Sequence, residues 1–328
     1  MLRYLVRRIL LMIPTLVAIS ILAFLIIQLP PGDFLSAYVA ELHTLGQDIS
    51  QEDTVTLRMH YGLDKPAVVQ YWRWFSDLLK GDLGISLQWR RPVSEIIGER
   101  LPYSMIISLC SFIFVWLVSI PIGMYSAVKQ YSPGDYVATF IGFLGLATPD
   151  FLLALIVLWL VFLASGNVLV GLFSPEYIMA AWSWGKLLDM LRHLWIPMII
   201  IGTSGTAGAI RVMRANMLDE IDRPYVMVAR SKGLTEMNLL VKYPFRIALN
   251  PTMSTIGYLL PSLVGGELLV SIVMGIPSLG PILMQALLSQ DMFLAGSIVM
   301  ILSSLTVIGT LVSDLLLAWV DPRIRGSV

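Results

Sequence analysis

Apolar stretches long enough to cross a bilayer recur six times along the chain, at residues 9–29, 104–127, 136–164, 194–213, 252–275 and 292–319. A spanning helix needs about 20 mostly apolar residues to traverse ~30 Å of hydrocarbon, and each stretch meets that requirement. The second is the most sharply bounded, because no charge occurs between Arg100 and Lys129. The third contains Pro149, which removes a backbone donor and predicts a kink or tilt. The fourth carries Gly202, Ser204, Gly205 and Gly208, small residues that let helices approach closely. The first runs uncharged from Ile9 to Gly32 behind Arg3, Arg7 and Arg8. Its length exceeds the ~7–15 residues of a cleavable apolar core. It ends in Leu-Pro-Pro-Gly-Asp without a small-x-small site, so a retained span is expected.

Composition agrees with the pattern. Hydrophobic residues make up 57% and charged residues 13%, where globular domains carry about 25% charge. A soluble fold would leave too much apolar surface in water, so the chain is expected to be an all-α polytopic membrane protein with the bilayer as its first partner. The formal net charge of +0 gives no ground for a nucleic-acid partner. Cys110 is the single cysteine, which excludes an intramolecular disulfide. His43, His60 and His193 are scattered without ligand spacing, so no metal site is expected.

Six spans place both termini on one side, and Lys/Arg distribution identifies it. With the N-terminus cytoplasmic, thirteen basic residues fall inside, seven of them between Arg211 and Arg246. Long external loops translocate largely regardless of charge. With the segment 31–103 discounted for that reason, only Lys186 and Arg192 remain outside. The expected organisation is a cytoplasmic N-terminus and first helix (1–30), an external segment (31–103), a five-helix core (104–320) with a cytoplasmic loop at 214–250, and a cytoplasmic tail (321–328).

Two polar regions interrupt the spans. In the external segment Val68, Tyr71, Trp72, Phe75, Leu78 and Leu79 follow helical spacing, with Arg73, Asp77 and Lys80 on the other side. Two compatible readings are a helix lying in the headgroup layer and a small cap that receives an external partner. In the cytoplasmic loop Val226, Ala229, Arg230 and Gly233 fall at i, i+3, i+4 and i+7 of one helical face. Two of these are small, so a partner could approach the backbone there. Gly233 suits a left-handed helix end, Thr235 an N-cap, Glu236 the following first turn, and Pro244 limits the second helix. A helix, a glycine turn and a short helix are predicted.

Asp150, Glu267 and Asp314 lie within or beside spans, where a charge costs at least ~2.5 kcal/mol and marks a pathway or a pairing role. Asp150 and Glu267 are the candidates for a translocation path; Asp314 is expected to pair with a terminal arginine. No phosphate-binding Gly-x-x-x-x-Gly-Lys-Ser/Thr loop, zinc-binding His-Glu-x-x-His or nucleophile–base arrangement is present, so no catalytic residue is assigned.

The run Tyr225-Val226-x-x-Ala229-Arg230-Ser231-Lys232-Gly233-Leu234, followed by Phe245-Arg246-x-Ala248-Leu249-Asn250-Pro251, resembles the cytoplasmic loop of binding-protein-dependent ABC transporter permeases. The dipeptide/oligopeptide branch, and the first of its two permease subunits, is the nearest likeness. Tyr61-Gly-Leu-Asp64-Lys-Pro66, Gly81-Asp82-Leu-Gly84-x-Ser86 and Asp321-Pro-Arg323-Ile-Arg325 extend the likeness over nearly the whole length. Met227 and Val228 depart from the glutamate-alanine of other permeases, and Ser271 stands where a glutamate is usual, with Glu267 one turn earlier.

The resemblance implies a six-helix ABC importer permease fold in a bacterial inner membrane. It implies a loop that couples to an ATPase through Tyr225, Ala229, Arg230, Lys232, Gly233 and Leu234, and external docking residues Tyr61, Asp64, Trp72 and Asp82. It further implies a second homologous permease, two cytoplasmic ABC ATPase subunits that use ATP and Mg, an external substrate-binding protein, and no cofactor on this chain itself. Peptides are the expected cargo, with oligosaccharides or nickel complexes as alternatives within the family. An ion- or proton-coupled secondary transporter using Asp150 and Glu267 is the competing class, although no inverted repeat is visible.

Overall fold

The computed structural model describes residues 2–29, 64–166, 170–254 and 256–320, with six further positions between 35 and 59. Among these residues the regular structure is helical, apart from one isolated bridge between Ile85 and Pro92. In chain order the helices are α1 (Leu2–Gln28), α2 (Ala67–Leu79), α3 (Val93–Val128), α4 (Pro133–Ala147), α5 (Asp150–Ser165) and α6 (Pro175–Ile178). They continue with α7 (Trp184–Ile221), α8 (Pro224–Ser231), α9 (Glu236–Lys242), α10 (Pro244–Ser254), α11 (Ile256–Val273), α12 (Leu279–Leu288) and α13 (Met292–Val320).

By length and composition α1, α3, α7 and α13 can each cross a membrane, and α4 with α5 forms a fifth candidate bent by 107°. The expected break at Pro149 is therefore a sharp corner. Proline drives its predecessor out of the helical region, and Thr148 is extended at φ −96°, ψ 120°. The stretch expected at 252–275 is helical in α10 and α11. Up to five candidates stand among the described residues, compatible with the six spans expected.

The long helices outrun their apolar stretches. α7 has 38 residues, about 57 Å at 1.5 Å per residue, so it projects well beyond ~30 Å of hydrocarbon. Its last turns were read as the start of a loop at 214 and are instead continuous helix to Ile221. α3 likewise begins at Val93, inside the segment assigned to the exterior. Charged residues had set both expected ends, but Glu95, Glu99, Arg214 and Glu220 are helix-compatible and lie within the continuous helices. α12 was missed altogether, although Leu279–Leu288 is free of charge.

The chain forms two compact units, each drawing on segments distant in sequence. One comprises residues 103–277 and 308–328, the other residues 2–102 and 278–307. Pairing between elements distant in sequence decides this grouping.

In the first unit the core gathers Ile107 and Val115 of α3, Ala154 of α5, Ile196, Ile200 and Ile201 of α7, and Val270 and Met274 at the end of α11. Glycines permit the closest approaches. A Cβ on Gly202 would lie 2.6 Å from the Phe114 ring, and one on Gly123 would lie 2.7 Å from the Met213 side chain.

In the second unit α2 is the predicted amphipathic helix, but its inner face is different. Trp74 is 3% exposed while Trp72 is 62% exposed. The indole of Trp74 fills the space that Gly296 leaves empty, since a Cβ there would come within 2.8 Å of it. Tyr71 donates to or accepts from the Ser20 hydroxyl at 2.9 Å, and Gln28 donates to Gln70 at 3.0 Å.

Candidate functional site

The polar island after α7 folds into three short helices around a small core of its own. Pro224 begins α8 at a position where a missing N–H costs nothing. The helix ends at Lys232, and Gly233 follows with φ +80°, donating its N–H to the Arg230 carbonyl at 3.0 Å. The predicted glycine turn is thus present, and an L-residue side chain there would be strained. Thr235 occupies the N-cap of α9 but its hydroxyl makes no capping bond. Tyr243 ends α9, and Pro244 opens α10.

The core of this module joins Met213 and Met217 of α7 to Val226 and Ala229 of α8, Leu239 and Leu240 of α9, Ala248 of α10 and Ala127 of α3. This corrects the expected docking face. Ala229 and Val226 are buried inside the chain, so no partner can reach them. Ala229 is small because α8 must lie close against its own neighbours. The outward residues are the ones that depart from the family's glutamate-alanine: Met227 and Val228 on α8 are 54% and 55% exposed, and Met237 and Val241 on α9 are 65% and 45% exposed. Arg230, Lys232 and Gly233 are exposed beside them, and Leu234 is half-buried.

Polar contacts hold the outward face in shape. Arg230 grips Glu236 through two bonds, Nε to Oε1 at 2.7 Å and Nη2 to Oε2 at 3.2 Å, tying α8 to α9 across the glycine turn. The bond and charge of Arg230 hold the Glu236 carboxyl below the usual carboxylate range. Tyr225 donates its hydroxyl to Glu220 at 2.5 Å. Burial, reinforced by that carboxylate, pushes the Tyr225 phenol well above its ordinary value. Asn216 donates to the Ala248 carbonyl at 3.3 Å, fastening α10 to the end of α7.

The two span carboxylates behave differently. Asp150 opens α5 at the 107° corner, half-buried, without capping that helix. It lies beside the Ser204 hydroxyl of α7 and 2.8 Å from where a Cβ on Gly266 would stand. Gly266 therefore makes room for this carboxylate. Glu267, by contrast, is 2% exposed, and its Oε1 accepts from Ser271 one turn later at 2.6 Å. A buried, bonded Glu267 is not available to line a path within this chain. It belongs to the packing of α11, and the serine at the family's usual glutamate position is its bonding partner. Asp314 sits on α13, while its expected arginine partners Arg323 and Arg325 lie outside the described residues.

Of the external candidates, Tyr61 lies outside the described residues, and Asp64 and Trp72 are exposed. Asp82 is also exposed and accepts from the Gly84 N–H at 2.9 Å, shaping the turn after α2. The sequence reading missed Asp291, which is fully buried. It accepts from the Ser86 hydroxyl at 2.5 Å, from the Gln88 N–H at 3.1 Å and, as N-cap of α13, from the Leu294 N–H at 3.2 Å. An acidic residue directly before the apolar run at 292 was the available signal.

Comparison with known proteins matches two families. Residues 119–326 match the family described as binding-protein-dependent transport system inner membrane component, and residues 1–110 match the N-terminal family of the same membrane components. The chain is similar to an oligopeptide transport system permease protein of Bacillus subtilis, 35% identical over 98% of this chain and 99% of that one. It is also similar to a dipeptide transport system permease protein of Escherichia coli, 31% identical over 99% of each chain.

Proposed function

This chain belongs to the family of binding-protein-dependent transport system inner membrane components, and on that premise we propose that it is the peptide-translocating permease subunit of an ATP-driven importer. Membership makes it a non-catalytic, multi-pass membrane component of an ABC transporter. The complete path is shared with a second, homologous permease. Two cytoplasmic ATPase subunits, using ATP and Mg, supply the energy, and an external binding protein delivers the cargo. Both termini lie in the cytoplasm, so that α8 and α9 face the ATPases. Dipeptides and oligopeptides are the substrate class, by the likeness to peptide permeases along the full chain.

One observation carries the coupling role. A helix pair with outward Met227, Val228, Met237 and Val241 stands on its own packed core at the end of a 38-residue helix. Such a pair presents an apolar docking face rigidly joined to a span. The corner at Thr148-Pro149 with Asp150, Ser204 and Gly266 is the part of the span region that the cargo passes. Tyr61, Asp64, Trp72 and Asp82 remain the candidate contacts for the binding protein.

Copurification followed by reconstitution tests this reading. Proteoliposomes containing the complex take up labelled di- and oligopeptides only with internal ATP and added binding protein. Uptake by this chain alone, driven by an ion gradient, would refute it; uptake of oligosaccharide or nickel chelate in place of peptide would refute the substrate class alone.

A further inference from the structure

The end of α7 carries a second attachment, on a face next to the one that packs on the α8–α10 core. Arg214, next to the fully buried Met213, reaches Asp135 in the first turn of α4 with both prongs: Nε to Oδ1 at 3.2 Å and Nη2 to Oδ2 at 3.0 Å. Asp135 is 3% exposed. Its Oδ2 also accepts from the Tyr131 N–H at 3.0 Å. Tyr131 holds a left-handed conformation, φ +62°, unusual for a bulky residue. Ser132 caps α4 by accepting from the Asp135 N–H at 3.3 Å. The carboxylate is thus held by its own turn as well as by the arginine.

The ion pair ends a longer seam. A Cβ on Gly142 would lie 3.7 Å from the Ala207 Cβ, and one on Gly145 would lie 2.7 Å from the Thr203 methyl. Positions 135, 142 and 145 of α4 therefore meet 214, 207 and 203 of α7. The numbers ascend on one helix and descend on the other at spacings of seven and then three or four. This is an antiparallel pair in near-heptad register. Along the seam the helices approach closely at the two glycines, and at its end a charge pair with a buried carboxylate locks their relative slide. Arg214 is thus bound to α4 while its neighbours Met213 and Met217 are bound to α8, α9 and α10.

We infer that Asp135 and Arg214 are positioning residues that make α4 follow α7 when the coupling helices move. The docking stroke is thereby delivered to the corner at Thr148-Pro149, where α4 ends beside Asp150. The inference rests on the coupling role proposed above. It assigns to this pair a transmission role separate from docking, since neither residue lies on the outward face of α8 or α9.

The test uses the whole copurified complex in proteoliposomes. In Asp135→Asn, chain insertion, ATPase-subunit recovery and basal ATP hydrolysis stay at wild-type level. Peptide uptake per ATP falls about tenfold, within the range reported for residues that carry coupling between sites. Arg214→Lys keeps the charge but loses the two-pronged grip and falls between the two. Asp135→Glu, which keeps an acceptor for the Tyr131 N–H and for Arg214, keeps most of the ratio. An unchanged ratio in Asp135→Asn overturns the inference. So does a fall in uptake that merely tracks a lower melting temperature across Asp135→Asn and Arg214→Lys, which would leave a purely structural pair. If the wild-type complex itself shows no ATP-dependent uptake, the proposed function fails first and this inference fails with it.

Discussion

Helices α2 and α8 were both legible as amphipathic segments, and both turn a different face inward from the one their spacing suggested. In α2 the spacing put Trp72 on the apolar face, yet Trp74 is buried and Trp72 is exposed. In α8 the small residues suggested an approach for a partner, yet Val226 and Ala229 are used up inside the chain. The causes differ. A large side chain such as Trp74 is buried where a remote glycine, Gly296, has left a matching hollow. A small one such as Ala229 is buried because its own helix must come close to α7. Small residues declare that something approaches closely, but not whether it is another chain.

The largest effects should come from the buried residues of this comparison. Trp74→Ala removes an indole packed under Gly296 and should cost about 3–5 kcal/mol, while Trp72→Ala should stay within about 0.5 kcal/mol. Thermal unfolding of the two purified variants checks this, and equal losses would break the assignment of faces in α2. Next, Ala229→Leu overpacks the α7–α10 core and should cost about 1–3 kcal/mol. Val228→Asp should leave melting unchanged but weaken ATPase-subunit association by about tenfold, as loss of an interface anchor does. Titrating the permease complex with ATPase subunits separates these outcomes. The docking face is wrong if Val228→Asp binds normally.

Gly233→Val probes the turn between the two helices. A β-branched residue forced to φ +80° costs roughly 1–2 kcal/mol, and its Cβ meets nothing within 4 Å. Peptide uptake per ATP should drop while membrane insertion is normal; unaltered uptake would count against a rigid α8–α9 pair. The smallest effect concerns Arg230 and Glu236. Arg230 lowers the folded carboxyl of Glu236 relative to its unfolded value, so the stabilisation from pairing is present above the unfolded value, about pH 4.3. It is lost as pH falls through the lowered folded value. Amide exchange in the first turn of α9 should therefore be flat from pH 5 to 8 once corrected for intrinsic rates, and accelerate only below that window. Acceleration near pH 7 would show that the pair does not hold the helices together.

The polar island, the glycine turn, the proline break and the overall helical class followed from local chemistry. Proline lacks a donor, glycine tolerates positive φ, and long charge-free runs need a bilayer; none of these depends on a neighbour. Helix ends were less legible, because the charges that close an apolar stretch do not stop a helix, as α3 and α7 demonstrate. Glu267 illustrates the other limit. Its charge in a span and Ser271 one turn later were both visible, but its burial followed from how α11 packs against its neighbours.

The sequence by itself therefore determined that this is a helical membrane protein with a structured polar module between spans. Its order of motifs also carried the likeness to peptide permeases. Only the tertiary structure decided which side of each helix looks outward, that Asp135 and Arg214 meet across 79 residues of sequence, and that Asp150 stands at a corner made roomy by Gly266. The physical reason is the range of the forces. Backbone geometry and solvent partition act on a residue where it stands, whereas a buried face or an ion pair exists only once two distant segments have excluded the water between them.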